Sequence, residues 1–316
     1  MVFGRNYDWI TDAGIVCTNL RGLAKTSMKT ENGETISWTS QYGSITFNQY
    51  GKEFPTGGMN EKGLVVELMW LDETKYPSSD NRPAVGVLQW IQYQLDNSAT
   101  IDEVIATDKK LRISATGTTP LHYLIADAKG NVATIEFLNG KMVVHKGNDL
   151  IVPVLTNNNY DESVSAYKNS SANGNNSLER FSQAYNMIKQ FKAGDNNKPL
   201  VDFAFDILGE VAQGNFTKWS IVYDITNKSI QFKTNRFREI KTVNFSSFDF
   251  SCTSTAKVWD MNQSGNGIIN SLFDNFAPAI NKRIVETAAK ESEDRVFISQ
   301  QNREFLWQYA SEIKCK

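Results

Sequence analysis

FGRNYDW, residues 3–9, is the stretch on which the reading of this chain turns. It sets Arg5, Asn6 and Asp8 close together in a run with strand character, directly at the start of the sequence. A strand of that polar density needs a neighbour for its backbone groups and a purpose for its charges. Nothing before residue 3 supplies either, so the rest of the sequence has to be searched for both.

Composition narrows the search. The chain has 316 residues, 41% hydrophobic and 22% charged, which is globular material sufficient for one large domain or two ordinary ones. Formal net charge is −2, and no lysine-arginine block interrupts the sequence, so no nucleic-acid partner is indicated. No apolar run approaches the roughly 18 residues that suggest a membrane span, and no signal-peptide pattern opens the chain. Cys17, Cys252 and Cys315 are odd in number and lack metal-ligand spacing, and His122 and His145 are the only histidines. That argues against a disulfide framework and against a metal centre, and it sends any hydrolytic chemistry to a base other than histidine.

The element pattern is strands, helices, strands, helices, strands. AGIVCTNLRG, ETISWTS and GSITFNQ read as short strands, and GGMNEKGLVVELMWL as a Gly-rich corner before a buried strand. Val87, Trp90, Ile91 and Leu95 share one helical face, and Thr100 with Glu103 three residues on forms a capping box for a second helix. LHYLIADAKGNVATIEFLNGKMVVH reads as antiparallel strands turning at Lys129-Gly130 and Asn139-Gly140. LIVPVLTNNNYD reads as a further strand, SLERFSQAYNMIKQF and PLVDFAFDILGEVAQ as helices, and TKWSIVYDITNKSIQFKTN as a hairpin around Asn227. KNSSANGNNS is a polar surface loop. MNQSGNGIIN is the better boundary, dividing a domain over 1–260 from a helical extension over 261–316, with helices packed outside the sheets from about Gly267. Hairpins in place of regular crossovers favour antiparallel sheets layered with helices, an α+β architecture.

FGRNYDW, GGMNEKGL, VLTNNNYD and LERF occur in the order and approximate spacing of the choloylglycine hydrolases and penicillin V acylases, and residues 1–260 as a whole resemble that family. The resemblance implies a linear amide C–N hydrolase on an N-terminal-nucleophile fold, two stacked antiparallel sheets between helical layers. It also implies what should precede FGRNYDW: a first strand opening with a cysteine exposed by processing. The expectation is that this strand lies upstream of Met1, that the chain as written has no amidase activity, and that an upstream signal peptide would make the protein periplasmic rather than cytoplasmic. A non-catalytic ligand-binding protein on the same fold is the competing class.

By the same resemblance, Arg5 stands beside the thiol, where a guanidinium favours thiolate, and Asp8 positions the nucleophile and its α-amino group. That amine titrates near ~8 and is its own general base. Asn60 and Asn157 shape the site around the tetrahedral intermediate as fixed dipoles and should lie close together at one end of the sheets, and Arg180 is a second arginine. Each has a plainer alternative: a surface ion pair for Arg5, a turn carboxylate for Asp8, turn residues for Asn60 and Asn157 (with Asn158 one position on), and a solvated helix arginine for Arg180. Cys17 opens a CTNL that imitates a mature family start but lies beyond Arg5 and Asp8, so a buried strand cysteine is the reading preferred; a Cys252–His122 pair has no spacing to recommend it. The substrate implied is a small N-acyl amide such as a conjugated bile salt, penicillin V or an N-acyl homoserine lactone. No cofactor or metal is implied, and a homo-tetramer is. MWLDETKYP and LRISATGTTP are rim segments, with Trp70 and Tyr76 either facing an acyl group or packed in the core.

Overall fold

The computed structural model describes residues 1–30, 33–115, 119–172, 174–191 and 198–316. Two sheets dominate. A five-stranded sheet runs in the order Val2–Asp8, Thr217–Asp224, Ser229–Thr234, Lys241–Asn244, Gly267–Ile268. A nine-stranded sheet runs Lys141–Lys146, Val132–Leu138, Leu121–Ala126, Val65–Trp70, Pro55–Asn60, Ser44–Asn48, Ile15–Asn19, Lys257–Asp260, Asp274–Asn275. Neighbours in both are antiparallel except the short Lys241–Gly267 edge pair. Turn chemistry fixes several registers: Asn139 and Gly140 both adopt positive φ, 54° and 76°, as a tight hairpin requires.

The sheets stack face to face. Phe3, Tyr223 and Phe232 from the smaller sheet interdigitate with Val16, Phe47, Met59 and Val65 from the larger. Helices cover the outer faces. α1 (Val87–Asn97) lays Trp90, Ile91 and Leu95 on Val66, Leu68 and Tyr123, each full burial contributing about 1.5–3 kcal/mol. α2 (Ile101–Ala106) begins at Thr100, whose hydroxyl caps Glu103 N–H while Glu103 reaches back, the capping box expected. α3 (Tyr160–Lys168) and α4 (Asn176–Gln190) pack on each other, and α5 (Leu200–Glu210) sets Ala204, Phe205 and Leu208 against Val222 of the smaller sheet. The order helix, sheet, sheet, helix agrees with the layered α+β expectation.

Four expectations need correction. LIVPVLTNNNYD is an irregular loop, because Val152, Val154 and Leu155 bury themselves singly in the inter-sheet core instead of alternating along a strand, and α3 follows at once. Gly57 and Gly58 lie inside the Pro55–Asn60 strand, and the corner comes after them, at Gly63 with φ 87°. The stretch from Gly267 is not purely helical: Gly267–Ile268 and Asp274–Asn275 add an edge strand to each sheet. α6 (Pro278–Glu291) and α7 (Gln300–Glu312) then form a pair over Tyr50 and Phe54. Finally, Cys252 and Cys315 form a disulfide, with Cα atoms 5.6 Å apart, which pins the tail strand Lys314–Cys315 beside Leu23–Thr26. Spacing of 63 residues hides such a pair from sequence reading.

Candidate active site

The Val2–Asp8 strand is the edge of its sheet: among the described residues it pairs with Thr217–Asp224 on one side and with no strand on the other. Along that open edge runs a groove of about 990 Å³, lined by every residue from Met1 to Trp9. Leu68, Met69 and Trp70 from the larger sheet and the Pro153–Asn157 loop face it. Ile188 of α4 and Phe203 and Ile207 of α5 give it apolar lining, and Arg295, Val296 and Leu306 of the C-terminal segment line it as well.

Arg5 is 6% exposed and enters this groove between the two sheets. Its Nη2 donates to Leu68 O at 3.0 Å, Nη1 lies 2.9 Å from Glu67 Oε2, and the guanidinium covers the Tyr7 ring at 4.5 Å. The Nη1–Oε2 approach is an ion pair without hydrogen-bond alignment, and among the described residues Nε and Nη1 hold no hydrogen bond. Asp8 accepts from Gln213 Nε2 at 2.7 Å and from the Thr217 hydroxyl, which fixes its carboxylate at the strand end.

Asn157 and Arg180 are locked to each other. Arg180 Nη2 donates to Asn157 Oδ1 at 2.8 Å, and Asn157 Nδ2 donates to Trp70 O at 3.0 Å. Burial lowers the Arg180 pKa, with nearby Asp8 opposing the shift. The loop carrying Asn157 is tied down from below: His122 Nε2 lies 2.7 Å from Thr156 O, and Glu136 accepts from the Tyr160 N–H at 3.0 Å. His122 is therefore a core residue.

Arg5, Asp8, Asn157 and Arg180 thus share one groove. Asn60 does not. Its Nδ2 donates to Leu95 O and Ser98 O at 2.9 and 2.7 Å, and its Oδ1 accepts from Lys62 and Leu64 N–H at 3.0 and 3.1 Å. All its capacity goes into the turn beside Val65 and into tying that turn to the end of α1, whereas Asn157 is bonded at Trp70, about 17 Å along the strand at the usual rise. The expectation that Asn60 and Asn157 lie together is overturned, and the plain turn reading of Asn60 holds.

Trp70 lines the groove, while Tyr76 is core, its hydroxyl donating to Thr119 O at 2.9 Å. Part of the LRISATGTTP rim segment, residues 116–118, lies outside the described residues. Asn158 faces Glu162 and takes no part in the groove. Cys17 is fully buried and its thiol is pushed up to about 12, chiefly by burial, so it is no thiolate at neutral pH. Cys252 is bound in the disulfide, which removes the Cys252–His122 pair.

One groove residue escaped the sequence reading. Glu67 is fully buried under Arg5, takes a hydrogen bond from the Tyr223 hydroxyl, and is held at about 7 by burial, against the opposing pull of Arg5 and Tyr223. VVELMW carried the signal: alternation puts Glu67 on the inward face with Val65 and Met69. Among the described residues, no group of three or more His, Cys, Asp and Glu is arranged to hold a metal ion, and no helix is long and apolar enough to cross a membrane.

Residues 1–202 match the sequence profile of the linear amide C–N hydrolases, choloylglycine hydrolase family. The chain belongs to that family. A penicillin V acylase from Pectobacterium atrosepticum is 32% identical to this choloylglycine hydrolase relative over 162 residues, 46% of this chain and 42% of that protein. The match therefore spans less than half of that relative's length. The solved structure of penicillin V acylase from Agrobacterium tumefaciens is similar with a TM-score of 0.74 and 26% identity, over 88% of this chain and 94% of that one. A conjugated bile acid hydrolase from Clostridium perfringens, 18% identical, shares the fold with a TM-score of 0.69 over 83% of this chain and 94% of its own. The layered sheets are accordingly those of the N-terminal-nucleophile hydrolases.

Proposed function

We propose that the protein hydrolyses a linear amide through a thioester, using the thiol of a cysteine that precedes Met1 and is seated against the open edge of Val2–Asp8. The observation that carries this reading is the convergence of Arg5, Asp8, Asn157 and Arg180 on a groove that follows that edge. A strand laid there would satisfy the free backbone groups of Val2–Asp8 and bring its first residues beside Arg5.

Each neighbour then has a role. Arg5 stabilises the thiolate, and Asp8 holds the α-ammonium. The thiolate attacks the amide carbon, a C–S bond forms, and the carbonyl electron pair moves onto oxygen. Asn157 Nδ2 spends one N–H on Trp70 O and has a second to offer that oxyanion. Collapse breaks the C–N bond as the α-ammonium protonates the departing amine. Water then gives one proton to the free amine as it attacks the thioester carbon; the C–S bond breaks, the acid leaves, and the thiolate and α-ammonium are restored.

The apolar lining from α4 and α5 suits an apolar acyl group, so penicillin V and conjugated bile acids, the substrates in the names of similar proteins, are the first to assay, with N-acyl homoserine lactones beside them. The Cys252–Cys315 disulfide favours an oxidising compartment such as the periplasm. The homo-tetramer belongs to the same reading and is measured by light scattering.

Hydrolysis by the chain starting at Met1 should be compared with hydrolysis by a chain extended to a processed terminal cysteine, with and without Arg5→Met. We expect turnover from the extended chain alone, and its loss in R5M. Hydrolysis by the Met1 chain that Cys17→Ala abolishes overturns the reading. An extended chain that binds N-acyl amides without cleaving them is instead a ligand-binding protein on this fold.

A further inference from the structure

Between the two sheets, Arg5, Glu67 and Tyr223 form a buried chain of charge and hydrogen bonding. Glu67 Oε1 accepts from the Tyr223 hydroxyl of the smaller sheet, and Oε2 lies 2.9 Å from Arg5 Nη1. Its cross-strand partner is Gly57, so the carboxyl rests against bare backbone. On its other side the Val65–Trp70 strand pairs with Leu121–Ala126, which presents Leu124 opposite Glu67. The titratable and charged groups facing the carboxyl are therefore Arg5 and Tyr7 from the edge strand and Tyr223 across the sheets, and burial raises both tyrosines well above their ordinary value, so they stay neutral.

Arg5 has capacity to spare. Of its five N–H donors only one, on Nη2, finds an aligned acceptor among the described residues, and Nε and Nη1 are buried without one, in a side chain that lines the groove. A guanidinium whose Nε has no acceptor and whose Nη1 meets only a misaligned carboxylate, in a side chain that lines a cavity, is a place for an anion.

We propose that Glu67 is a positioning residue that governs how strongly Arg5 holds an anion in the groove: a carboxylate, such as the acid released by the proposed hydrolysis, binds beside Arg5 as Glu67 takes up a proton. An ionised Glu67 competes with the ligand for the guanidinium, and a protonated one leaves the positive charge to the ligand. The inference rests on the groove being the hydrolytic site, but its test needs no turnover.

Phenylacetate is the probe, titrated by calorimetry into the chain from Met1 to Lys316 in buffers of different ionisation enthalpy. Near pH 7 the wild type should bind with net uptake of a fraction of a proton. Glu67→Gln should bind with no uptake, and at pH 8 at least about tenfold more tightly, since a competing charge a few ångströms away has gone. Arg5→Met should lose binding. A purely structural Glu67 gives the opposite sign, because a loosened Arg5 weakens the ligand. Equal or weaker binding in E67Q, no proton uptake in the wild type, or no binding of phenylacetate at all overturns the inference. Amide hydrolysis by the extended chain without proton-linked product binding leaves the proposed function standing and removes this one.

Discussion

The Glu67 carboxyl lies across the backbone of Gly57, so close that a Cβ at Gly57 would stand 2.0 Å from Glu67 Oε2. Gly57 has no positive φ, so the demand is for space and not for an unusual backbone. Gly57→Ala should therefore destabilise by roughly 2–4 kcal/mol, the range of a core clash that displaces a buried charge. In a Glu67→Ala background the same change should cost far less. Urea denaturation of the two singles and the double gives the coupling, and additivity within error would refute the close approach.

Stability should carry the imprint of Glu67. Its folded value of about 7 lies above the ordinary 4.5, so the folded state binds the extra proton between those limits. Its contribution is then unfavourable at high pH: stability falls as pH rises from about 4.5 through 7, by about 3 kcal/mol in all. Glu67→Gln should flatten that part of the profile. Unfolding free energies from pH 5 to 8 measure it, and parallel curves for wild type and E67Q contradict it.

Asn60 and Asn157 should separate cleanly. Asn60→Ala removes two hydrogen bonds within the turn and two that tie it to the end of α1, and should lower stability by about 2–4 kcal/mol. Asn157→Ala removes two part-buried hydrogen bonds, so it should cost only about 1–2 kcal/mol of stability and reduce kcat of the extended chain about 10²–10³-fold if it serves the oxyanion. A kcat loss in N60A with intact stability would reverse the assignment.

The disulfide closes a loop of 63 residues that contains α6 and α7. Cys252→Ser should lower stability by about 4 kcal/mol on the chain-entropy scale. Hydrogen exchange should show the Lys314–Cys315 strand opening first, and unchanged protection there would show the tail held by packing alone.

Local signals were legible in the sequence where local chemistry decides. The Thr100–Glu103 box, the Asn139-Gly140 turn and the apolar face of α1 each lie within a dozen residues, and each appears where expected. FGRNYDW and VLTNNNYD marked Arg5, Asp8 and Asn157, although the second was misread as a strand, because its apolar residues look alike whether they alternate or dock one by one.

Taken alone, the sequence determined the layered antiparallel architecture, because hydrophobic period and turn residues act over a few positions and leave few ways to bury the result. It also determined the chemical character of the polar motif at its start. Tertiary structure alone decided which asparagine reaches the groove. Asn60 and Asn157 are both in turn-like surroundings, and only the path of the Val65–Trp70 strand carries one end to Arg180 and leaves the other at the far turn. It likewise decided the role of Glu67: a carboxyl in a hydrophobic strand has no fixed meaning until sheet stacking sets an arginine and a tyrosine against it and removes the water that would have held its charge.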